Sequence, residues 1–572
     1  MVRTSTFGTP MTKPLLLARL SGTQAEMGAQ HGRLVAEDAA RLLAFYRTMP
    51  ERTLAGDLQG PGAAAGRWLV RSVATAWQAR LVKDRPADLA TRTQAFIDAV
   101  AAAVPGHDAR AAHLAFATMD AMQNCVSLSA RAHLGPFTRP LTARAAVAAI
   151  PACSSAIAWG GQTHDGELLF ARNFDFPGVG VWDAAPAFVV CAPDRGQRYG
   201  FFTTRGADTP VVTVVNEAGL VLAPHTRWHR GVGWGGAMIV DLVHAIAQRA
   251  ETLADAIKIA AERPVSSSWG LAIGSARERT ALVLEIAGPA MEIVRPAAGA
   301  EHLVCTNRYR HEKLQVGQFA ASPAWAHHAD RRERKLRQLV EAKRGLTARD
   351  LAGFLGDRHD AGARRHLGGI LAQATNVHCA VIAPAERRAF VGVDRAPACE
   401  GAWAEVAWSW DGPAGGWEIG NTAASGFTAT PCEAFVAPHD AATRHLHDAA
   451  RAYETEHDIP ATRAALERAV AADPEDPSLR LAATWLAMED GANDRALIHV
   501  QAGLATERDP YRRGQLLLWG SRAARQGDPA RARAWSAELA GLAGDGVAEL
   551  QAAARKRYRS RPHVNLMMAD AY

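Results

Sequence analysis

Apolar residues recur at helical spacing through 23–49, including Met27, Leu34, Leu42 and Phe45, and the whole stretch 15–152 reads as mostly helical. Residues 60–66, rich in Gly and Ala, read as a loop, and further helices are expected near 89–104 and 111–126. At Cys153 the texture changes. Short runs rich in β-branched and aromatic residues, bounded by turn residues, predict strands at 154–159, 167–176, 187–191, 199–204, 211–215 and 220–222. The Asn216-Glu217-Ala218-Gly219 step between the last two is a hairpin signal. A helix pair is expected at 238–249 and 253–262, then strands at 269–273, 281–286, 292–294 and 303–305. Helices at 330–343 and 347–356 precede three closing strands at 377–382, 389–393 and 402–408. Two blocks of strands, each followed by a helix pair, point to a layered α/β sandwich.

From about residue 440 the pattern returns to Ala-rich helices. Ala464, Ala496 and Ala532 sit in similar segments, and Asp-Pro steps at 473–474, 476–477, 509–510 and 528–529 separate the helices. That spacing resembles helix-turn-helix repeats of the tetratricopeptide kind. The division expected is a helical segment 1–152, a catalytic core 153–435, a repeat-like helical domain 440–545 and a basic tail 546–572.

Composition narrows the function. The 572 residues are 48% hydrophobic and 21% charged, as in an ordinary globular protein, and a net charge of +6 is small for that length. The basic run 555–559 reads as a solvated helix end, so neither nucleic acid nor a membrane is an expected partner. Seven scattered cysteines with no C-x-x-C spacing argue against a disulfide framework or structural zinc; a cytoplasmic setting and no metal or cofactor are expected. Residues 1–14 lack the apolar core of a signal peptide, and no long uncharged apolar stretch predicts a membrane span. Phosphate-loop, zincin and serine-elbow motifs are absent from the sequence.

The candidate chemistry gathers around Cys153, where helical sequence gives way to a strand. A lone cysteine there is more often a small core residue; its company alters that reading. Gly22 to Gly32, containing Glu26, Gly28, His31 and Gly32, resembles an opening G-…-E-x-G-x-x-H-G signature. Arg172-Asn173-Phe174-Asp175, Asn216-Glu217-Ala218-Gly219-Leu220, Thr306-Asn307-Arg308-Tyr309 and Arg332 with Leu336 follow in order. From Leu16 to Trp410 the chain resembles the N-terminal-nucleophile (Ntn) hydrolases that include the fungal acyl-CoA:isopenicillin N acyltransferase, with choloylglycine hydrolases and acid ceramidases as more distant relatives.

The resemblance implies an α+β, four-layer αββα sandwich, here followed by an all-α repeat-like domain. It also implies self-cleavage between Ala152 and Cys153, with Cys153 as nucleophile and Arg172, Asp175, Asn307 and Arg332 as its catalytic company. His225 and Asn216 are further candidates for substrate or oxyanion contact. Relatives usually carry Gly before the nucleophile, and Ala152 narrows the backbone there. Physical chemistry agrees with the scheme: a freed α-amino group has a pKa near 7.7–8.0 and can serve the thiol of the same residue as base. Arg172 and Asp175 stand three apart on one strand. They can both reach Cys153 only if the strand ends or bulges near Phe174.

The expected function is amide hydrolysis of a small N-acyl compound through a Cys153 thioester. The alternatives are acyl transfer to an amine and an inactive interaction protein. The C-terminal helices are expected to serve a protein partner or self-association.

Overall fold

The computed structural model describes residues 13–55, 62–132, 152–231, 233–319, 323–422, 424–432, 436–555, 564–565 and 570–571. The loop expected at 60–66 lies partly outside them, as does most of the basic run 555–559.

The chain opens with a strand, β1 (Leu16–Gly22), inside the stretch expected to be helical. Its run of apolar residues alternates sides: Leu16, Ala18 and Leu20 face one core, Leu15 and Leu17 another. A strand buried on both faces reads as continuous hydrophobics, which periodicity cannot tell from a helix. Thr23 then caps α1 (Gln24–Leu34), exchanging hydrogen bonds with Glu26 in a capping box. The helical spacing read over 23–49 is divided at Val35, after which the chain continues as α2 (Ala36–Ala55). There follow α3 (Ala63–Lys83), whose first turn replaces the loop expected over 63–66, then α4 (Ala87–Ala103), α5 (Ala109–Ala115) and α6 (Thr118–Ala132).

After Cys153 come β2 (Ser154–Gly160), β3 (Gly166–Asp175), β4 (Pro186–Pro193), β5 (Tyr199–Thr204), β6 (Thr213–Asn216) and β7 (Leu220–Thr226). Helices α7 (Ile239–Arg249) and α8 (Leu253–Glu262) precede β8 (Ser268–Ser275), β9 (Thr280–Ala287), β10 (Ala290–Val294) and β11 (His302–Cys305). Then come α9 (Glu312–Gln315), α10 (Pro323–Glu341) and α11 (Ala348–Leu355). The two-residue strands β12 (His359–Asp360) and β13 (Ala363–Arg364) lead to β14 (Asn376–Ala383), β15 (Arg388–Gly392), β16 (Trp403–Trp408), β17 (Gly415–Glu418) and β18 (Phe427–Cys432).

Two sheets result. One runs β10-β9-β8-β7-β6-β5-β4-β1-β17; the other runs β11-β2-β3-β14-β15-β16-β18. Ile157, Phe170, Phe188, Val190, Phe202 and Ile382 interlock between them. The outer face of the first sheet carries Val189, Phe201 and Leu271 against α1, α2, α4 and α7. The outer face of the second carries Ala156, Ala171 and Val381 against Leu336 and Val340 of α10 and Leu351 of α11. The architecture is therefore a four-layer αββα sandwich.

A helical region closes the chain: α12 (Ala441–Arg451), a π-turn at Ala452–Glu456, α13 (Ile459–Ala472), α14 (Pro477–Glu489), α15 (Asn493–Thr506), α16 (Pro510–Ala524) and α17 (Pro529–Gly541). Asp476, Asp509 and Asp528 of the Asp-Pro steps each cap a helix whose first turn begins with that proline. The segment expected as a tail begins with one more helix, α18 (Val547–Ala554). Polar contacts fasten this region to the sandwich. Arg331 pairs with Asp360 and Asp509, and Arg512 pairs with Asp360 and, at 2.7 Å, Glu507. Glu454 in the π-turn accepts the N–H groups of Gly178 and Val179 at 2.8 and 3.1 Å. Among the described residues no helix is long and apolar enough to cross a membrane.

Candidate active site

Strand alternation places the candidate groups. On β3 the even residues Leu168 and Phe170 point between the sheets, so Arg172 continues that row; Leu169 and Ala171 point outward, so Asp175 does too. Cys153 sits one residue before β2, across from the end of β3. There β3 stops at Asp175, and the register of its partner β14 slips between Asn376 and His378. Both conditions under which residues three apart could approach one cysteine are thus met.

Nη2 of Arg172 lies 3.5 Å from the Cys153 sulfur and donates to the Pro224 carbonyl at 2.6 Å. Its Nε and Nη1 are buried without a partner. The Cys153 side is 1% exposed yet lines a cleft. Burial raises its thiol pKa; Arg172 pulls it down and the Asp175 charge pushes it up. Asp175 accepts from Asn376 Nδ2 at 2.8 Å, while its other carboxylate oxygen has no partner. Burial lifts its pKa to about 7 against the opposing pull of Arg332, Asn376 and Arg172.

Of the neighbouring arginines of α10, Arg332 is the one that reaches the cysteine segment. Its Nη1 donates to the Ala152 carbonyl (3.2 Å), the Cys153 carbonyl (2.9 Å) and Ser154 Oγ (2.8 Å). Its Nη2 donates to Asn307 Oδ1 at 3.0 Å. A guanidinium only donates, so it fixes the Asn307 oxygen toward itself and turns the amide nitrogen to the Thr226 carbonyl, 3.0 Å away. Asn307 thus meets the cysteine segment through Arg332, and one of its two N–H bonds is already used. Arg331 turns instead to the helical region, and Arg334 to Asp545 at 3.5 Å.

His225 is fully buried; its Nε2 lies 3.0 Å from Ser155 Oγ and its Nδ1 has no partner. Burial, with Arg172, Arg227 and Arg332 around it, pushes its pKa well below the usual value, so the ring is neutral. Asn216 is not in this site. Its Nδ2 donates to the Ala247 and Ala250 carbonyls at the end of α7 (3.2 and 2.8 Å), and its Oδ1 accepts from Leu220 N. The hairpin asparagine holds a helix end, and it borders a different depression, together with Arg198 and Trp410.

Three participants carried no motif and were not foreseen: Asn376 on Asp175, Ser154 on Arg332, and Asp120 in the cleft wall. The cleft encloses about 770 Å³ including its open mouth. Leu42, Leu43, Tyr46, Phe174, Phe176 and Trp182 line it together with Cys153. Tyr46 and Trp182 are tied by a 2.6 Å hydrogen bond.

Ala152 is buried, donates its N–H to the Asp175 carbonyl at 3.1 Å, and has no left-handed backbone. An alanine therefore fits there without the strain that would call for glycine.

No curated protein matches the chain in sequence. Among solved structures, the Caenorhabditis elegans ortholog of N-acylethanolamine-hydrolyzing acid amidase is 15% identical, covering 41% of this chain and 93% of its own, with a TM-score of 0.30. A variant of the conjugated bile acid hydrolase from Clostridium perfringens is 10% identical, covering 49% of this chain and 97% of its own, with a TM-score of 0.28. Residues 162–396, which begin after Cys153 and take in Arg172, Asp175, His225, Asn307 and Arg332, match the family model described as acyl-coenzyme A:6-aminopenicillanic acid acyl-transferase. That segment is what the chain shares with this family, and it is carried on an αββα sandwich.

Proposed function

We propose that this chain cuts itself between Ala152 and Cys153 and that the freed Cys153 then hydrolyses a linear amide of a small N-acyl compound. The observation that carries the reading is the double placement of Cys153. Its sulfur lies beside Arg172 at the wall of an apolar cleft, while the carbonyl just before it is held by Arg332.

In the uncut chain the thiol attacks the Ala152 carbonyl carbon. Asp175, with a pKa near neutrality, takes the thiol proton. Negative charge collects on the Ala152 oxygen, where the Arg332 guanidinium already donates. Collapse breaks the C–N bond, the proton passes to the departing Cys153 nitrogen, and Ala152 is left as a thioester on sulfur. Water hydrolyses that ester and releases a carboxylate at Ala152.

The new α-amine then serves as base for the same thiol, with Arg172 favouring thiolate. In turnover the sulfur attacks the substrate amide carbon, the amine half departs with the proton, and water releases the acyl half. Arg172, Asp175, Asn307, Arg332 and His225 are assigned to this machinery, with His225 as a neutral polar group beside Ser155.

The test is release of amine from N-acyl amides by wild type and by Cys153→Ala, with the acyl-enzyme sought by mass. Expected are turnover by wild type, none by the variant, and a transient adduct of acyl mass on the chain beginning at Cys153. Added acceptor amines that divert the acyl group would place the reaction with transfer instead of hydrolysis. A Cys153→Ala chain with unchanged turnover would remove the mechanism, and a full-length inert wild type would favour an interaction protein.

A further inference from the structure

Several buried acids near this cleft carry a cation. Asp208 is paired with Arg92 and His31, Asp241 with Arg85, and Glu285 with Arg227. Asp120, at the start of α6 and 1% exposed, has no cationic partner among the described residues. Its Oδ1 accepts from Ser267 Oγ and, at 3.2 Å each, from Ile239 N and Trp269 Nε1. Its Oδ2 takes no hydrogen bond from any described residue, and the side chain lines the same cleft as Cys153.

Burial raises the Asp120 pKa to about 6 against the pull of its three donors, so the group is still charged above neutral pH, and a cation or donor brought to it offsets the cost of burying that charge. Three donors converging on Oδ1 hold the group rigidly and leave Oδ2 facing the cleft. Around it the wall is hydrocarbon and aromatic ring, with Leu43, Phe116, Met119 and Trp269 among the neighbours. A purely apolar acyl chain would bury Oδ2 without a partner; a chain tipped with an ammonium would complete the pairing.

We infer that Asp120 makes the cleft selective for N-acyl compounds whose buried half is an apolar body ending in a protonated amine. The inference rests on the reading of Cys153 as the nucleophile of this cleft, and it adds the class of substrate. It gives Asp120 contact with substrate, distant from bond breaking, so its loss shows in binding and in KM more than in kcat.

The test separates the two claims by measuring binding without turnover. ω-Aminohexanoyl p-nitroanilide and its isostere heptanoyl p-nitroanilide are titrated against the full-length Cys153→Ala chain by calorimetry. A charged hydrogen bond in such a cleft corresponds to tighter binding of the amine probe by about 10–100-fold. Asp120→Asn on that background keeps an oxygen for the Ser267, Ile239 and Trp269 donors and removes the charge. The preference is expected to vanish while the alkyl probe binds as before or better.

A thermal melt of both variants checks folding. Should Asp120→Asn unfold, Asp120→Glu, which keeps the charge, must retain a preference for the amine probe. Equal affinity for the two probes, no binding of either, or a preference that outlasts Asp120→Asn overturns the inference. Turnover of other N-acyl amides by wild type would still leave the proposed chemistry standing.

Discussion

Cys153 and Arg332 carry different halves of the proposed chemistry, and each can be perturbed alone. Arg332 supplies the donor on the Ala152 carbonyl and orients Asn307. Removing such a donor typically slows acyl chemistry by about 10²–10³-fold. Arg332→Ala is therefore expected to leave mostly uncut chain over a time in which wild type is fully processed, as read on a denaturing gel with a thermal melt to check folding. The same site sets a pH dependence. Asp175 is protonated below a pKa of about 7 and cannot accept the thiol proton there. The self-cleavage rate should climb as pH rises through about 7 and level off above it; in Asp175→Asn the climb should disappear along with most of the rate. A rate that falls over that range would assign the base elsewhere.

Several of these residues were legible in the sequence because motif order and strand period constrain them. Arg172 and Asp175 required a strand end, and the end is there. Arg332 could not be told from Arg331 and Arg334 by pattern, since a helix turn covers all three and only packing decides which one points inward. Asn216 was misplaced because an asparagine at a hairpin satisfies local backbone as readily as a substrate. Asn376 and Asp120 were invisible, because their roles depend on contacts across 201 and 119 positions of chain.

Among the elements, α1 shows how a motif can be structural. Its Gly28 and Gly32 pass close to α4: a Cβ at Gly28 would stand 2.2 Å from the Arg92 carbonyl oxygen, and one at Gly32 2.5 Å from that of Phe96. His31 between them holds Asp208 at 2.8 Å, and Arg92 of α4 meets the same carboxylate. The opening signature thus secures a helix pair on the outer face of the first sheet. Gly28→Ala must push α4 away, and overpacking of this kind costs about 1–3 kcal/mol. A lowered Tm with an intact active site after processing is the expected result; an unchanged Tm would mean that the helices are less closely packed than they stand here. The strands after Cys153 were readable because turn residues bound each one. By contrast β1 hid in an apolar run, the first turn of α3 in Ala-rich sequence, and β17 and β18 in segments whose glycines and threonines resemble loop.

For the whole molecule, the C-terminal helices stand against the αββα sandwich. Glu454 holds the backbone at Gly178 and Val179, and Thr455 Oγ donates to the Val179 carbonyl at 2.6 Å. That segment leads to Trp182, which lines the cleft. Glu454→Ala should loosen this wall, raising KM several-fold while kcat and self-cleavage change little; equal loss of kcat would indicate a broader disturbance. The boundary of the helical region was legible as a return to Ala-rich sequence. Its attachment was not, because it depends on ion pairs such as Arg331 with Asp509.

The most direct measurement is intact mass with N-terminal sequencing of the purified wild-type chain beside Cys153→Ala. The account predicts two wild-type pieces of about 16 and 45 kDa, in proportion to a 61.0 kDa chain of 572 residues, with the larger starting at Cys153, and a single uncut variant. An active wild type found only at full length, or a Cys153→Ala chain cut at the same bond, would contradict it.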